Sequence, residues 1–228
     1  MLGERIVRRH FGRLPWLLRY LLGKAAIGGV NAVVDRHYEY AFTVRCLTAL
    51  EIRDKDVLEV GCCGSYLPLV MAAMGNRVVG VDLYPWDIRY PGVKMITGSI
   101  LDLDLERRFD VAVAISVIEH IGLSRYAGAS ERLDRDAVAA IRSLLREEGY
   151  FVVSVPYGRN RTFRKYHRVY DEESFSQLTK GFVTIQQEFF APTGKNQNLE
   201  PCSESDTHRF GRRALPYAIT CALLRRSP

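Results

Sequence analysis

A group of residues with the chemistry of a nucleoside-cofactor site lies in the first half of the chain. Glu59 and Gly61 end an apolar run. Cys63 and Gly64 continue it as a turn of small residues, which lets a ligand approach the backbone N–H groups closely. Asp82 ends the next apolar run, 21 residues after Gly61, where a carboxylate can accept hydrogen bonds from a ribose diol. The pattern predicts a pocket for a nucleoside cofactor.

The spacing of the glycines argues against a dinucleotide. A dinucleotide fingerprint reads Gly-x-Gly-x-x-Gly, and counting from Gly61 puts Cys63 at its second glycine and Tyr66 at its third. A pyrophosphate is therefore poorly accommodated, and a hydride-transferring oxidoreductase is not favoured. The alternative to any cofactor site is that the glycines only make a tight turn and Asp82 only caps the next segment.

The segment 59–65 and the following Asp82 resemble the first two motifs of class I S-adenosylmethionine-dependent methyltransferases. The resemblance implies S-adenosyl-L-methionine as the cofactor. It implies that Glu59 faces the methionine end, that the turn at Gly61 passes beneath the cofactor, and that Asp82 binds the ribose. The turn of that family is usually Gly-x-Gly-x-Gly, and Cys63 departs from it while staying small.

The segment 97–105, after the third apolar run, resembles the part of the family that recognises adenine. An acidic residue after the glycine usually contacts the exocyclic amine there; this chain has Ser99 at that place and Asp102 three residues later. The alternative is that Asp102 is only a turn carboxylate. The further cofactor contacts implied by the resemblance are Leu83, Ser99, Ile100, Asp102 and Ser116.

The fourth apolar run ends at Ser116 and leads into Glu119 and His120. Ligands of open parallel sheets bind beyond the carboxyl ends of the strands, so these residues are expected near the transferable methyl group. Histidine can take up a proton near neutral pH, which makes His120 the candidate base. Glu119 is expected to orient it or to act as a second base. The alternative is that both residues only cap or bridge the following helix and touch the cofactor.

The sequence at 117–120 resembles the small-molecule branch of the family, often called type 11. Methyltransferases of nucleic-acid amines usually carry an Asn/Asp-Pro-Pro-aromatic motif at this point, and its absence argues against base N-methylation. We therefore expect methyl transfer to the oxygen of a small or medium-sized sugar-, lipid- or metabolite-like acceptor. An RNA methyltransferase and a non-catalytic cofactor-binding or scaffold module of the same fold are the alternatives.

The loop 155–170, beyond the fifth apolar run, combines five cations, three tyrosines and a histidine. Such side chains can hold an anionic or sugar-like acceptor by charge-assisted and stacking contacts. Alternatively, the histidine and the last tyrosine only pack the loop against the sheet. A second possible acceptor wall is the run 121–133, with Arg125, Tyr126 and Arg132. The candidate acceptor contacts of the loop are Tyr157, His167, Arg168 and Tyr170.

The elements that must position these residues alternate between strands and helices from residue 55 onward, which is typical of a parallel sheet. The expected strands are 56–61, 77–83, 93–98, 109–116 and 150–156, and the expected helices are 66–74, 134–147 and 171–180. The last two apolar segments, 183–190 and 217–224, have no helix between them and are expected to be antiparallel neighbours. The fold class is therefore α/β, a Rossmann-like seven-stranded methyltransferase sheet of five parallel strands plus a C-terminal antiparallel pair, with helices on both faces.

The domain organisation expected from these elements is a helical extension or lid over residues 1–50 and a methyltransferase domain over 51–228. Arginines alternate with leucines and a tryptophan in residues 4–24, so peripheral contact with a membrane surface is an alternative role for that segment.

Composition supports a globular domain. The 228 residues carry a net charge of +6 with 47% hydrophobic residues, which leaves nucleic acid and acidic small molecules as possible partners. The five cysteines show neither a disulfide framework nor a zinc-binding spacing, so no metal is expected. A reducing, cytoplasmic setting fits them best.

Overall fold

The computed structural model of the protein describes residues 31–123, 133–163, 166–193, 198–213 and 216–228. At its centre lies an eight-stranded mixed sheet, and a two-stranded hairpin stands apart from it. The strands of the sheet are β1 (Asp56–Val60), β2 (Arg77–Asp82), β3 (Val93–Thr97), β4 (Phe109–Ile115), β5 (Leu145–Tyr157), β8 (Phe182–Thr193), β9 (Asn198–Cys202) and β10 (Ala218–Arg226). The hairpin consists of β6 (Arg161–Phe163) and β7 (His167–Val169).

The strand order is β3-β2-β1-β4-β5-β10-β8-β9. The first five strands are parallel, and β10 pairs antiparallel with both β5 and β8. The five parallel strands and the terminal antiparallel pair expected from the sequence are confirmed. The difference is an eighth strand, β9, which folds back on the end of β8 at the sheet edge. Its sequence, with Pro201 as the fourth of five residues, lacks the apolar alternation by which strands are recognised.

Helices cover both faces of the sheet, as expected. On one face α3 packs Ala137, Val138 and Ile141 into a core with the inward side chains of β1, β4 and β5. On the other face α1 and α2 contribute Phe42 and Met71 to a second core. The helices are α1 (Asn31–Ala49), α2 (Leu67–Ala73), α3 (Leu133–Leu144), α4 (Glu172–Leu178) and α5 (Glu204–Thr207).

The start of α4 is fixed by the residue that the sequence indicates. The Asp171 side chain accepts a hydrogen bond from the Ser174 N–H at 2.9 Å, and the Ser174 hydroxyl in turn accepts one from the Asp171 N–H. This capping box supplies partners for helix N–H groups that no carbonyl within the helix can reach.

The end of α3 differs from the expectation. The helix stops at Leu144, and β5 begins at the next residue, well before the predicted strand 150–156. The left-handed turn residue there is Glu148, with φ +58°. The next residue, Gly149, allows a close approach, since a Cβ on it would lie 3.2 Å from the Asp110 carbonyl oxygen.

The compact unit that contains the sheet begins at Tyr38, and residues 1–37 form a separate unit. Phe42 and Leu47 of α1 are fully buried in the core of the sheet unit. The second half of α1 therefore packs with the sheet, and the domain boundary expected at residue 50 stays a prediction. The proposed lid and the membrane-surface segment 4–24 lie outside the described residues. None of the helices in the described ranges has the length and hydrophobicity needed to cross a bilayer.

Candidate active site

The carboxyl ends of four neighbouring parallel strands bring the sequence-predicted cofactor residues to one edge of the sheet. The Gly61 N–H, after β1, donates to the Val81 carbonyl of β2 at 2.8 Å. The Gly98 N–H, after β3, donates to the Asp82 carbonyl at 2.8 Å. Glu59 lies on the central strand β1, opposite β2 on one side and β4 on the other, and is buried.

Gly61 joins the turn after β1 to the segment after β4. Its φ is +75°, and a Cβ placed on it would lie 2.3 Å from Cγ2 of Val117. Only glycine allows both this conformation and this contact. Gly64 also has a positive φ, +80°, so the turn depends on glycine at two positions.

Asp82 organises the turn with both carboxylate oxygens. Oδ2 accepts a hydrogen bond from the Cys63 N–H at 2.8 Å, and Oδ1 accepts one from the Tyr84 N–H at 2.9 Å. Because each carboxylate oxygen has two lone pairs, Asp82 can still accept hydrogen bonds from a diol. Burial, together with the Asp82 charge, raises the pKa of the Cys63 thiol to about 11. Cys63 is thus a small neutral residue in the turn at physiological pH.

The segment after β3 supplies a capped turn and exposed leucines. Ser99 Oγ accepts a hydrogen bond from the Leu101 N–H at 3.1 Å and caps the short 3-10 turn Ile100–Asp102. Ile100 is buried beneath this turn, and Asp102 is exposed. Leu83 and Leu101 follow the neighbouring strands β2 and β3 with 48% and 36% of their surface exposed.

This edge of the sheet fits an adenosyl cofactor with a cationic amine. Carboxylates stand at the ends of β1 and β2, apolar surface for a planar base follows β2 and β3, and the backbone between them is kept open by Gly61. An exposed leucine and a carboxylate side by side suit the base and the ribose of a nucleoside.

His120 has a defined protonation pattern. Its Nδ1 lies 2.6 Å from the carbonyl oxygen of Tyr166. Since a carbonyl oxygen only accepts, Nδ1 carries the hydrogen, and in the neutral ring the proton-accepting lone pair is on Nε2. That Nε2 lies 3.6 Å from Oε1 of the buried Glu119. The His120 side chain is 32% exposed, so it borders solvent or substrate while Glu119 does not.

Arg168 holds the turn that carries these two residues. Its NH1 donates to the carbonyl oxygens of Ile121 at 2.6 Å and of Glu119 at 3.4 Å. Its Nε lies 3.4 Å from Asp134 Oδ2, which also accepts a hydrogen bond from the Tyr170 hydroxyl at 2.8 Å. Burial and the neighbouring Asp134 raise the pKa of Tyr170 well above its ordinary value. Arg168 and Tyr170 therefore have partners inside the domain.

The other two candidate acceptor contacts are also buried. Tyr157 is 1% exposed and donates its hydroxyl to Glu204; burial, followed by this carboxylate, raises its pKa. The His167 ring packs against Tyr217 at 4.9 Å and lies 6.5 Å from the ring of His120, between ring centres. The polar groups of Tyr157, Arg168 and Tyr170 thus have partners within the domain, and His167 is buried beside His120; their roles as acceptor contacts stay predictions. Arg125, Tyr126 and Arg132 lie outside the described residues.

Glu39 and Ser154 were not expected at the site. Glu39 is fully buried on α1, and its Oε1 accepts hydrogen bonds from the hydroxyls of Ser154, at 2.6 Å, and of Ser116. A charged residue near the start of the chain is ordinarily assigned to solvent. Helical spacing is the signal for it, because Glu39 falls on the same helix face as Phe42 and Cys46, both buried.

The fold and this edge of the sheet define a Rossmann-like enzyme of the methyl-transferring class. The family model described as "Methyltransferase domain" matches residues 34–183. The chain belongs to this family, within the class I S-adenosylmethionine-dependent superfamily, and S-adenosyl-L-methionine is its cofactor.

Curated relatives are similar over part of their length. The chain is 29% identical over 151 residues to a ubiquinone biosynthesis O-methyltransferase of Azorhizobium caulinodans, covering 60% of this chain and 57% of that protein. It is 32% identical over 108 residues to a probable S-adenosylmethionine-dependent methyltransferase of Mycolicibacterium smegmatis, covering 45% and 38%. The chain thus spans less than two thirds of the length of the curated relatives it matches.

Solved structures share the fold at low identity. One is the 1,6-didemethyltoxoflavin-N1-methyltransferase of Burkholderia thailandensis, with a TM-score of 0.61, 18% identity and coverage of 92% of this chain and 88% of that one. Another is the N-methyltransferase NodS of Bradyrhizobium japonicum, with a TM-score of 0.58, 16% identity and coverage of 86% and 88%. Both were crystallised with S-adenosylhomocysteine.

Proposed function

We propose that this methyltransferase methylates the oxygen of a small acceptor that carries an anionic group. The observation that carries the oxygen assignment is the contact of His120 Nδ1 with the Tyr166 carbonyl, which leaves Nε2 as the proton acceptor. A hydroxyl must lose its proton when it is methylated, and a neutral imidazole is suited to remove it. Curated relatives include ubiquinone biosynthesis O-methyltransferases, which agrees with transfer to oxygen.

The geometry of the sheet edge supports a proposed set of cofactor contacts. Glu59 would hold the amine of the methionine part, and Asp82 the ribose diol. Leu83 and Leu101 would flank the adenine, with Ile100 buried beneath them and Ser99 or Asp102 at the adenine amine. Bound there, S-adenosyl-L-methionine supplies an activated methyl group, so the protein's tasks are to align the acceptor and to move one proton.

His120 and Glu119 share the proton transfer in this proposal. Nε2 of His120 takes the hydroxyl proton, and the charge that forms on the ring is stabilised by the Glu119 carboxylate 3.6 Å away. The Tyr166 carbonyl keeps the second ring hydrogen in place throughout. A positioned base of this kind contributes roughly 10²- to 10⁴-fold to a rate.

The anionic character of the acceptor is supported by an exposed arginine cluster beyond the carboxyl end of β5, which consists of Arg159, Arg161, Arg212 and Arg213. In the described part of the chain, none of these arginines forms an ion pair with a carboxylate. Arg161 belongs to the β6–β7 hairpin, whose connecting turn includes Tyr166, the partner of His120.

Backbone carbonyl groups hold two side chains of this cluster, those of Arg159 and Arg161. The Arg159 N–H donates to the Phe210 carbonyl at 3.0 Å, and a Cβ on Gly211 would lie 2.5 Å from the Arg159 carbonyl oxygen. The Arg159 side chain donates to the His208 carbonyl, and that of Arg161 to the Arg212 carbonyl. Guanidinium groups fixed by backbone carbonyls keep other N–H groups for a carboxylate or phosphate, which they bind in a bidentate manner.

The test is to incubate the protein with methyl-labelled cofactor and an extract of small molecules, and to pass the product over an anion exchanger at neutral pH. The proposal expects labelled product that the exchanger retains, and weaker labelling by Arg161→Gln than by the matched control Arg89→Gln on another loop. Label that passes through unretained contradicts the anionic acceptor. Label in acid-precipitable RNA, with binding that falls steeply as salt rises, would support the RNA alternative instead.

A further inference from the structure

Ser116, the first residue after β4, has a backbone conformation that is unusual for its type. Its φ is +47°, in the left-handed region where glycine is favoured and other residues are strained. The residue stands directly before Val117, which packs on Gly61, and four positions before His120. A glycine would adopt this conformation without strain, so the serine hydroxyl must contribute something that a glycine lacks.

The hydroxyl of Ser116 closes a ring of hydrogen bonds. It donates to Glu39 Oε1 on α1. The Ser116 N–H donates to both the carbonyl and the hydroxyl oxygen of Ser154 on β5, at 3.1 and 3.0 Å. The Ser154 hydroxyl donates to the same Glu39 oxygen at 2.6 Å. The buried Glu39 carboxylate thereby holds the Ser116 hydroxyl directly and the Ser116 N–H through Ser154.

We propose that Glu39 is a positioning residue for methyl transfer. It keeps Ser116 in the left-handed conformation, and this conformation sets the direction in which the chain leaves β4 toward Glu119 and His120. The proposal rests on the proposed role of His120 as the base. Glu39 is fully buried and acts through Ser116, without contact with the acceptor.

The segment 116–121, which carries Glu119 and His120, is then fixed at both ends. Arg168 holds the carbonyl groups of Glu119 and Ile121 at its far end, and Glu39 holds Ser116 at its near end. When the near end is released, the His120 ring loses its fixed distance to the Tyr166 carbonyl, and the hydrogen on Nδ1 is no longer held there.

The ring tautomer of His120, read from nitrogen-15 NMR of the full chain, tests this without an acceptor. The wild-type protein and the matched control Thr48→Ala, on the exposed face of α1, should show the Nδ1–H form at neutral pH. Glu39→Ala should give a mixture of both tautomers. Adding Ser116→Gly to Glu39→Ala should restore the Nδ1–H form, because glycine takes the left-handed conformation unaided.

If Glu39 served only to dock α1, a glycine at position 116 would not restore the Nδ1–H tautomer of His120. Failure of this rescue therefore overturns the proposal. An unchanged tautomer in Glu39→Ala also overturns it. If Glu39→Ala does not fold, Glu39→Gln, which keeps one accepting oxygen, is compared with Ser154→Ala; the former should hold the tautomer better than the latter, and the reverse order contradicts the proposal. Absence of methyl transfer by the wild type would instead contradict the proposed function, since the tautomer is measured separately.

Discussion

The Nδ1 atom of His120 lies 2.6 Å from the carbonyl oxygen of Tyr166, on the hairpin that follows the fifth strand. The contact joins two segments that are 46 residues apart and fixes which ring nitrogen can accept a proton. The turn that carries the proposed base is therefore completed by a loop that is distant in sequence.

Gly61 provides the first prediction. Gly61→Ala should destabilise the protein by about 2–4 kcal/mol, because the new Cβ overlaps Val117 and the backbone stays in the left-handed region. Urea unfolding measures the change. Val117→Ala in the same background should recover a small part of the loss, since it removes the Cγ2 contact at 2.3 Å but leaves the contact with the Cβ of residue 117 at 2.6 Å and the backbone strain. Full stability of Gly61→Ala alone would show that the turn is not as tight as described.

Arg168 is expected to affect catalysis by holding the turn that carries Glu119 and His120, and not by contact with the acceptor. Arg168→Met should lower the free energy of unfolding by about 3–5 kcal/mol, because it leaves Asp134 buried without its cation. Arg168→Lys keeps the charge but cannot reach both carbonyl groups with a planar fork, so it should fold and yet transfer methyl more slowly. A lysine variant with wild-type turnover would remove Arg168 from the positioning of the turn.

Asp82 is expected to control cofactor affinity. Asp82→Ala should weaken binding of S-adenosylhomocysteine by about 10- to 100-fold in calorimetry, because it removes an acceptor for the ribose and the partner of the Cys63 N–H. The control is Asp104→Ala, which removes an exposed carboxylate two residues after the turn Ile100–Asp102. Equal affinity in the two variants would contradict the ribose assignment.

Asp56 makes stability depend on acid pH. Burial opposes its ionisation, but hydrogen bonds from Arg77 and Arg107 outweigh burial and lower its pKa to about 2. A carboxyl with a depressed folded pKa stabilises the native state above its unfolded pKa, and this stability is lost as the pH falls from about 4 toward 2. With screening by solvent around the exposed arginines, the contribution is about 1 kcal/mol. Asp56→Asn should flatten the acid side of the unfolding curve, and an unchanged curve would contradict the assignment.

The sequence predicts the parallel half of the fold well because the apolar runs of β1, β2 and β4 are buried on both faces and each turn has its own signal. Asp171 starts α4 as expected, and Gly61 and Asp82 lie where their spacing puts them. Residues that depend on distant contacts were not predictable in the same way. Tyr157 has the type of an acceptor contact, but its hydroxyl faces Glu204, which is 47 residues away.

The charged residues show the same limit. Glu39 is a charged residue on a helix, and its type alone predicts exposure. Ser116, after β4, and Ser154, on β5, donate hydrogen bonds to it, and these make its burial possible. Arg168 reads as a cation for an anionic acceptor, yet Asp134 and two carbonyl groups surround it. Whether a charge faces solvent or the interior is set by its partners, and those are established only when the strands pair.

The central claim is tested most directly by His120→Asn in a single-turnover assay with methyl-labelled cofactor and the acceptor found by label transfer. The asparagine amide keeps a donor toward the Tyr166 carbonyl while the proton-accepting nitrogen is removed. We expect the rate of transfer to fall by about 10²- to 10⁴-fold while the affinity for S-adenosylhomocysteine stays at the wild-type value. A transfer rate within a few-fold of wild type would contradict a general base at His120 and with it the proposed transfer to oxygen.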